Sequence, residues 1–294
     1  MFGDTELTKP SNSRVGKVNN FSGRQPLLFA LSILVAWMAV ASTGVILCAN
    51  LTRNPITDPI PQSAGALIAT VALITVMGWL GWIQGSGIGR LGDWWACVLT
   101  LLLLFILIPT YAYAFFSSIT WEWATPGVSS LIRTILSRQV LVAVSEEILF
   151  RGFLLFSLVR VWGTTRKGIL KSVLISALVF GGLHLLYLPV DPDRTAIFLN
   201  VIHSVVFGMM LGSLALLIGT IWPGVLIHFG TNTIVFVIAM GSSISRSTVQ
   251  AYGYVILVEF LLAIILSVIL YKRGLHQDFK QNQFVVAVRK ESSS

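Results

Sequence analysis

Ser145-Glu146-Glu147-Ile148-Leu149-Phe150-Arg151 sets two adjacent carboxylates and a guanidinium inside an apolar run that covers 139–160. At the centre of a membrane helix each such charge costs roughly 2.5–3.5 kcal/mol on an insertion scale. A chain holds three of them there only when they face protein rather than lipid. The run therefore reads as an inward-facing helix of a membrane bundle. Residues four apart share a helix face, which pairs Glu147 with Arg151 in the favourable order. Glu146 sits about 100° around the helix from Glu147. One carboxylate can then hold the arginine while the other faces a cavity. A paired Glu147 stays ionised, and a Glu146 in a drier site has its pKa raised, as suits a general base.

Composition agrees with a bilayer setting. Of 294 residues 55% are hydrophobic and 11% charged, and the mean hydropathy is +0.83. A soluble domain carries about a quarter charged residues. Spans of about 20 apolar residues fall at 27–49, 64–84, 94–118, 139–160, 169–188, 196–218, 222–241 and 251–271. The predicted fold is an all-α polytopic bundle of about eight transmembrane helices. A polar N-terminal segment (1–26) precedes the membrane domain (27–271), and a polar tail (272–294) follows it. The first apolar run is too long for a signal-peptide core and reads as a retained span. Trp94, Trp95, Trp121 and Trp123 suit an interfacial belt. A segment at 127–138, with Arg133 and Arg138, reads as an amphipathic lead-in at the interface.

The net charge of +8 sets topology. Cations gather in the N-terminal segment, the 160–171 loop and the tail, which an even span count places together on the cytoplasmic side, in a cell membrane. No basic stripe with interleaved aromatics exists, which excludes nucleic acid as a partner. Cys48 and Cys97 sit in different apolar runs and read as small core residues.

Two further motifs repeat the one-turn spacing. Phe180-Gly181-Gly182-Leu183-His184 puts an aromatic one turn before a histidine. His228-Phe229-Gly230-Thr231-Asn232 puts an imidazole and an amide on one face. Glu146, His184, His228 and Asn232 together can activate water and stabilise a tetrahedral intermediate. The same His184 and His228, with Glu146, could instead ligate zinc. His203 lacks such a pattern and reads as a helix–helix hydrogen bond. Gly208 to Gly212 reads as close helix packing, and Asn200 as packing glue.

In order and placement, Glu146-Glu147 to Arg151, Phe180 to His184, and His228 to Asn232 resemble the motifs of the CPBP family. This family comprises the CAAX-protease and bacteriocin-processing (Abi) membrane proteases. The resemblance covers about 139–240. It implies an intramembrane endopeptidase, with Glu146 activating water, His184 helping to hold or deprotonate it, and His228 and Asn232 stabilising the oxyanion. It gives Glu147, Arg151 and Phe180 supporting roles. The implied substrate is a membrane-associated peptide or protein, of CAAX type or otherwise; the oligomeric state is open. Members have been described as metalloproteases, and a metal-free, glutamate-dependent mechanism is also argued. The absence of a compact His-Glu-x-x-His signature favours no cofactor.

Other protease classes fit less well. Gly212-Ser213 has no serine-protease motif around it, and Asp93 has no second membrane aspartate. The rivals from other classes are a transporter that uses the polar cluster for passage, and an inactive family member acting as a binding or immunity protein. No repeat supports the transporter. Glu146→Gln should abolish cleavage, whereas Phe156→Leu should barely matter.

Overall fold

The computed structural model describes residues 14–55, 58–116, 120–121, 135–189, 192–240, 242–243 and 248–275. The predicted leads at Trp123 and Arg133, and the tail beyond 275, lie outside the described residues. Helix α1 covers Arg14–Arg24, α2 Pro26–Thr52, α3 Pro59–Trp79 and α4 Trp94–Phe116. Helix α5 is composite: a π-turn Ile135–Gln139, an α stretch Val140–Glu147, a π stretch Ile148–Leu155 and an α stretch Phe156–Trp162 follow one another without a gap. Helix α6 covers Arg166–Gly182 and tightens into a 3₁₀ segment Leu183–Tyr187. Helices α7 (Arg194–Ile218), α8 (Trp222–Met240) and α9 (Thr248–Arg273) complete the bundle. The only strands among the described residues are two of two residues each, β1 (Thr120–Trp121) and β2 (Ser242–Ser243), paired antiparallel.

The chain is thus an all-helical integral membrane protein. Among the described residues six helices are long and apolar enough to span: α2, α3, α4, α6, α7 and α9. The fourth and seventh expected spans are present as helices of other character. Helix α5 is interrupted by π turns around the charged motif, and the apolar part of α8, Trp222–Val237, is shorter. Within the polar segment 1–26, residues Arg14–Arg24 form helix α1. Helix α3 also stops at Trp79, five residues before the predicted end, because Gly81 adopts φ +72°, which an L side chain rarely takes.

Small residues set the closest approach. A Cβ on Gly44 would lie 2.9 Å from Gly65 Cα, so α2 and α3 meet nearly backbone to backbone. Gly208 lets α7 meet α6 at Ala177, as the small-residue spacing predicts. The cysteines are both free, but they are not core residues as expected: Cys97 is exposed and Cys48 half-buried.

The segment between α3 and α4 is a plug, not a loose loop. Trp82, 3% exposed, stacks on Phe153 with centroids 5.9 Å apart and meets Phe29 and Phe156 edge-on. Its Nε1–H donates to Asn19 Oδ1 at 3.3 Å, and the Arg160 guanidinium lies 4.2 Å from its ring centroid. Trp222 Nε1–H donates to the Ile88 carbonyl at 3.0 Å, and the Thr220 hydroxyl donates to the Arg90 carbonyl. The plug thereby ties α1, α5 and the α7–α8 turn together at one end of the bundle.

Candidate active site

The two carboxylates of α5 part company as their 100° offset requires. Glu147 has no exposed surface, while the Glu146 side chain keeps 31%. The expectation of a drier Glu146 is therefore reversed: Glu147 is the dry one and Glu146 faces the cavity. Arg151 Nη1–H donates to Glu147 Oε1 at 2.8 Å, across one turn. The pair forms although a π stretch begins at Ile148. The Arg151 guanidinium also lies 4.7 Å from the Phe180 ring centroid, so Phe180 caps a cation as well as preceding a histidine. Gly224 lines the other side of Glu147, where a Cβ would stand 3.0 Å from Oε2.

His228, on α8, joins the two glutamates. Its Nδ1–H donates to Glu147 Oε1 at 2.9 Å, and its Nε2 faces Glu146 Oε2 at 3.7 Å. The sequence spacing gives no sign of this bridge, because it depends on how α8 is rotated against α5. His184 ends α6 in the 3₁₀ segment. Its Nδ1 lies 3.3 Å from the Phe180 carbonyl oxygen, and its Nε2 lies 3.4 Å from Ser204 Oγ. Glu146, His184, His228 and Asn232 all line one cavity of about 500 Å³. The four sequence-predicted catalytic residues are therefore brought together, with Glu147 and Arg151 buried behind them.

His203 lies in the wall of the same cavity. The helix–helix bonds expected of it exist, and their partners are residues the sequence reading passed over. Tyr111 O–H donates to Glu259 Oε1 at 2.5 Å. The phenol has one proton, so His203 Nε2–H is the donor across the 2.7 Å contact to Tyr111. Glu259 Oε2 is 3.2 Å from the same nitrogen, and its side chain is fully buried. A lone glutamate at the middle of the last span was the available signal. Asn200, read as packing glue, lines the cavity too.

The donors do not suit a zinc ion. Among the described residues no group of three or more His, Cys, Asp or Glu converges to hold one.

A buried ion pair behind a carboxylate–imidazole cavity, within a polytopic membrane bundle, defines a class of membrane protein with a polar reaction chamber. Residues 128–234 match the family model described as type II CAAX prenyl endopeptidase, Rce1-like. That match contains all three motifs and agrees with the resemblance over this segment. Comparisons with curated proteins and with solved structures give no match.

Proposed function

We propose that the chain hydrolyses peptide bonds at the membrane with a glutamate-activated water. The observation that carries this reading is the His228 bridge, with Nδ1 on buried Glu147 and Nε2 toward Glu146. In this scheme His228 keeps Nδ1–H on Glu147 and carries a second ring proton on Nε2, toward the cavity. Glu146 removes a proton from water, the hydroxide attacks the peptide carbon, and the oxyanion accepts hydrogen bonds from His228 Nε2–H and the Asn232 amide. Glu146 returns the proton to the departing amine, which leaves a carboxylate and an amine as products. His184, with Nδ1 directed to the Phe180 carbonyl and Nε2 toward the Ser204 hydroxyl, lines the cavity and helps to hold the water there. Arg151 fixes Glu147, and Phe180 fixes Arg151. No metal is required in this scheme, and full turnover after exhaustive chelation is the expected outcome.

The decisive variant is Glu146→Gln in purified, reconstituted protein presented with a peptide library that includes CAAX-type C-termini. Cleavage should vanish while the unfolding midpoint stays within a few degrees. Intact proteolysis in this variant refutes the mechanism. An unaltered protein that cleaves nothing but moves solute into vesicles makes it a transporter.

Orientation follows from charge. Arg166 lies 5.7 Å from the Tyr271 ring centroid, and Trp82 joins Asn19 to Arg160. Those contacts gather α1, the α5–α6 turn and the end of α9, with Lys272 and Arg273, at one end of the bundle. The positive-inside rule places that end, with both termini, in the cytoplasm. The cavity is lined from the opposite ends, by Gln62 at the start of α3, Arg138 at the start of α5 and Tyr252 at the start of α9. It therefore opens away from the cytoplasm. In a cysteine-free background, a membrane-impermeant thiol reagent should label Asn200→Cys from outside intact cells; labelling only after lysis reverses the orientation.

A further inference from the structure

The proposed chemistry leaves one buried carboxylate without work. Glu259 sits near the middle of the last span, and its side chain has no exposed surface. Among the described residues its ion-pair partner is His203, not a lysine or an arginine. A charge at that depth is expensive, and where one is kept it usually has a task. Tyr111 on α4 and His203 on α7 close around it. The Tyr111 O–H donates to Glu259 Oε1 at 2.5 Å, and His203 Nε2 stands 2.7 Å from the phenol oxygen and 3.2 Å from Glu259 Oε2. Tyr111 and Glu259 both lie outside the segment 128–234 that the family model matches.

The triad holds one turn of α7. Residues four apart share a helix face, and the His203 ring lies along that of Phe207, with centroids 5.8 Å apart and planes 18° from parallel. Phe207 is buried and meets the His228 ring edge-on at 5.3 Å. Phe180 also meets that ring edge-on, at 6.2 Å. Both separations are those of attractive ring pairs. The residue after His203 is Ser204, whose Oγ lies 3.4 Å from His184 Nε2. A single turn of α7 thus touches both imidazoles assigned to the chemistry. We propose that Glu259 is a positioning residue. With Tyr111 it fixes the His203 ring, and through Phe207 and Ser204 that turn sets the orientation of His228 and His184. Glu259 itself meets neither the water nor the peptide. As a contribution to turnover, this role rests on the reading of the cavity as a peptidase site.

The bundle supplies its own control. Ser213 and Ser267 also tie α7 to α9, with their Oγ atoms 3.0 Å apart. Ser213 stands ten residues beyond His203, about 15 Å along the helix, and neither serine lines the cavity. Glu259→Gln keeps the shape of the side chain and removes its charge. In reconstituted protein it should lower kcat roughly ten- to a hundred-fold, the cost of a misplacement of about 1 Å, with KM little changed. Ser213→Ala combined with Ser267→Ala should leave kcat as it is, whatever its effect on stability. The chain has four histidines, few enough for ring-nitrogen NMR to resolve each without substrate. Glu259→Gln should move the signals of His203, His184 and His228, and the double serine variant should move none of them. Phe207→Leu leaves Glu259 and His203 in place; it should move the His228 signal and lower kcat, and keeps the test open if Glu259→Gln does not fold. Added to Glu259→Gln, it should cost less than the product of the two separate losses. Unmoved His184 and His228 signals in Glu259→Gln overturn the proposal, as does an unmoved His228 signal in Phe207→Leu. So does an equal fall in kcat from the serine pair. Each of those results leaves peptidase activity standing. Signals that move as expected, in a protein that cleaves no peptide, uphold the positioning network and refute the proteolytic reading instead.

Discussion

Replacing Arg151 by methionine isolates the energetics of the buried pair. The stem volume is nearly kept, so the change removes charge rather than packing. At 2.8 Å and an effective dielectric of about 20, the lost attraction is about 6 kcal/mol. The desolvation of the guanidinium, several kcal/mol, is recovered at the same time. What remains is a fully buried Glu147 whose Oε1 keeps only the His228 contact. Breaking one side of such a pair costs about 3–5 kcal/mol, and the surviving imidazole places this case near the lower end. Unfolding of micellar protein with increasing sodium dodecyl sulfate, followed by the fluorescence of the nine tryptophans, reads the difference. Glu147→Leu combined with Arg151→Met should recover most of the loss, since a well-packed apolar replacement of a buried pair is often neutral. An Arg151→Met protein within about 0.5 kcal/mol of the parent would refute the reasoning, that being the size of an ordinary surface substitution.

Tyr111→Phe removes the proton shared with Glu259 and should cost about 1–3 kcal/mol, the penalty of an orphaned buried acceptor, read in the same unfolding assay. Gly224→Ala pushes against Glu147 Oε2 and, through it, His228. Turnover should fall more than substrate affinity, as separate kcat and KM values would show. Gly65→Ala would meet the Ala41 carbonyl and Val45 across the α2–α3 contact and should destabilise by about 1–3 kcal/mol. Phe156→Leu, expected from the sequence to be silent, removes a ring that is 2% exposed and packed edge-on against Trp82. It should lower stability by about 1 kcal/mol while leaving the cleavage position unchanged, checked by mass spectrometry of products.

The sequence was most informative where a period of 3.6 met a charge in lipid. Eight apolar segments, the Glu147–Arg151 pair and the split between the two glutamates all follow from spacing on a single helix. What depends on the rotation of one helix against another did not show. The reach of His228 Nδ1 to Glu147, and the meeting of Tyr111, His203 and Glu259 from three separate helices, are of that kind. The reversed dryness of Glu146 and Glu147 has the same origin. Spacing says that two side chains diverge, but not which one the neighbouring helices cover. Helix α1 escaped notice because a short, mildly polar amphipathic helix has no apolar run to announce it. Its partner Trp82 fell inside the apolar run 64–84 and so read as part of a span.

The Trp82 plug bears on what can be cut away from this protein. The family match begins at residue 128, yet Phe153 and Phe156 inside it lean on Trp82 and Phe29 outside it. The last span supplies Tyr252 and Val255 to the cavity wall, and Glu259 behind Tyr111 and His203, from beyond the other boundary. A fragment trimmed to the matched segment would bare an aromatic cluster to detergent and lose one wall of its chamber. Transplanting the three motifs into another scaffold would fail for the same reason. Chimeras between relatives should therefore exchange Trp82, Asn19, Arg160 and the Thr220 turn as one inheritance, because each of these residues presupposes the others.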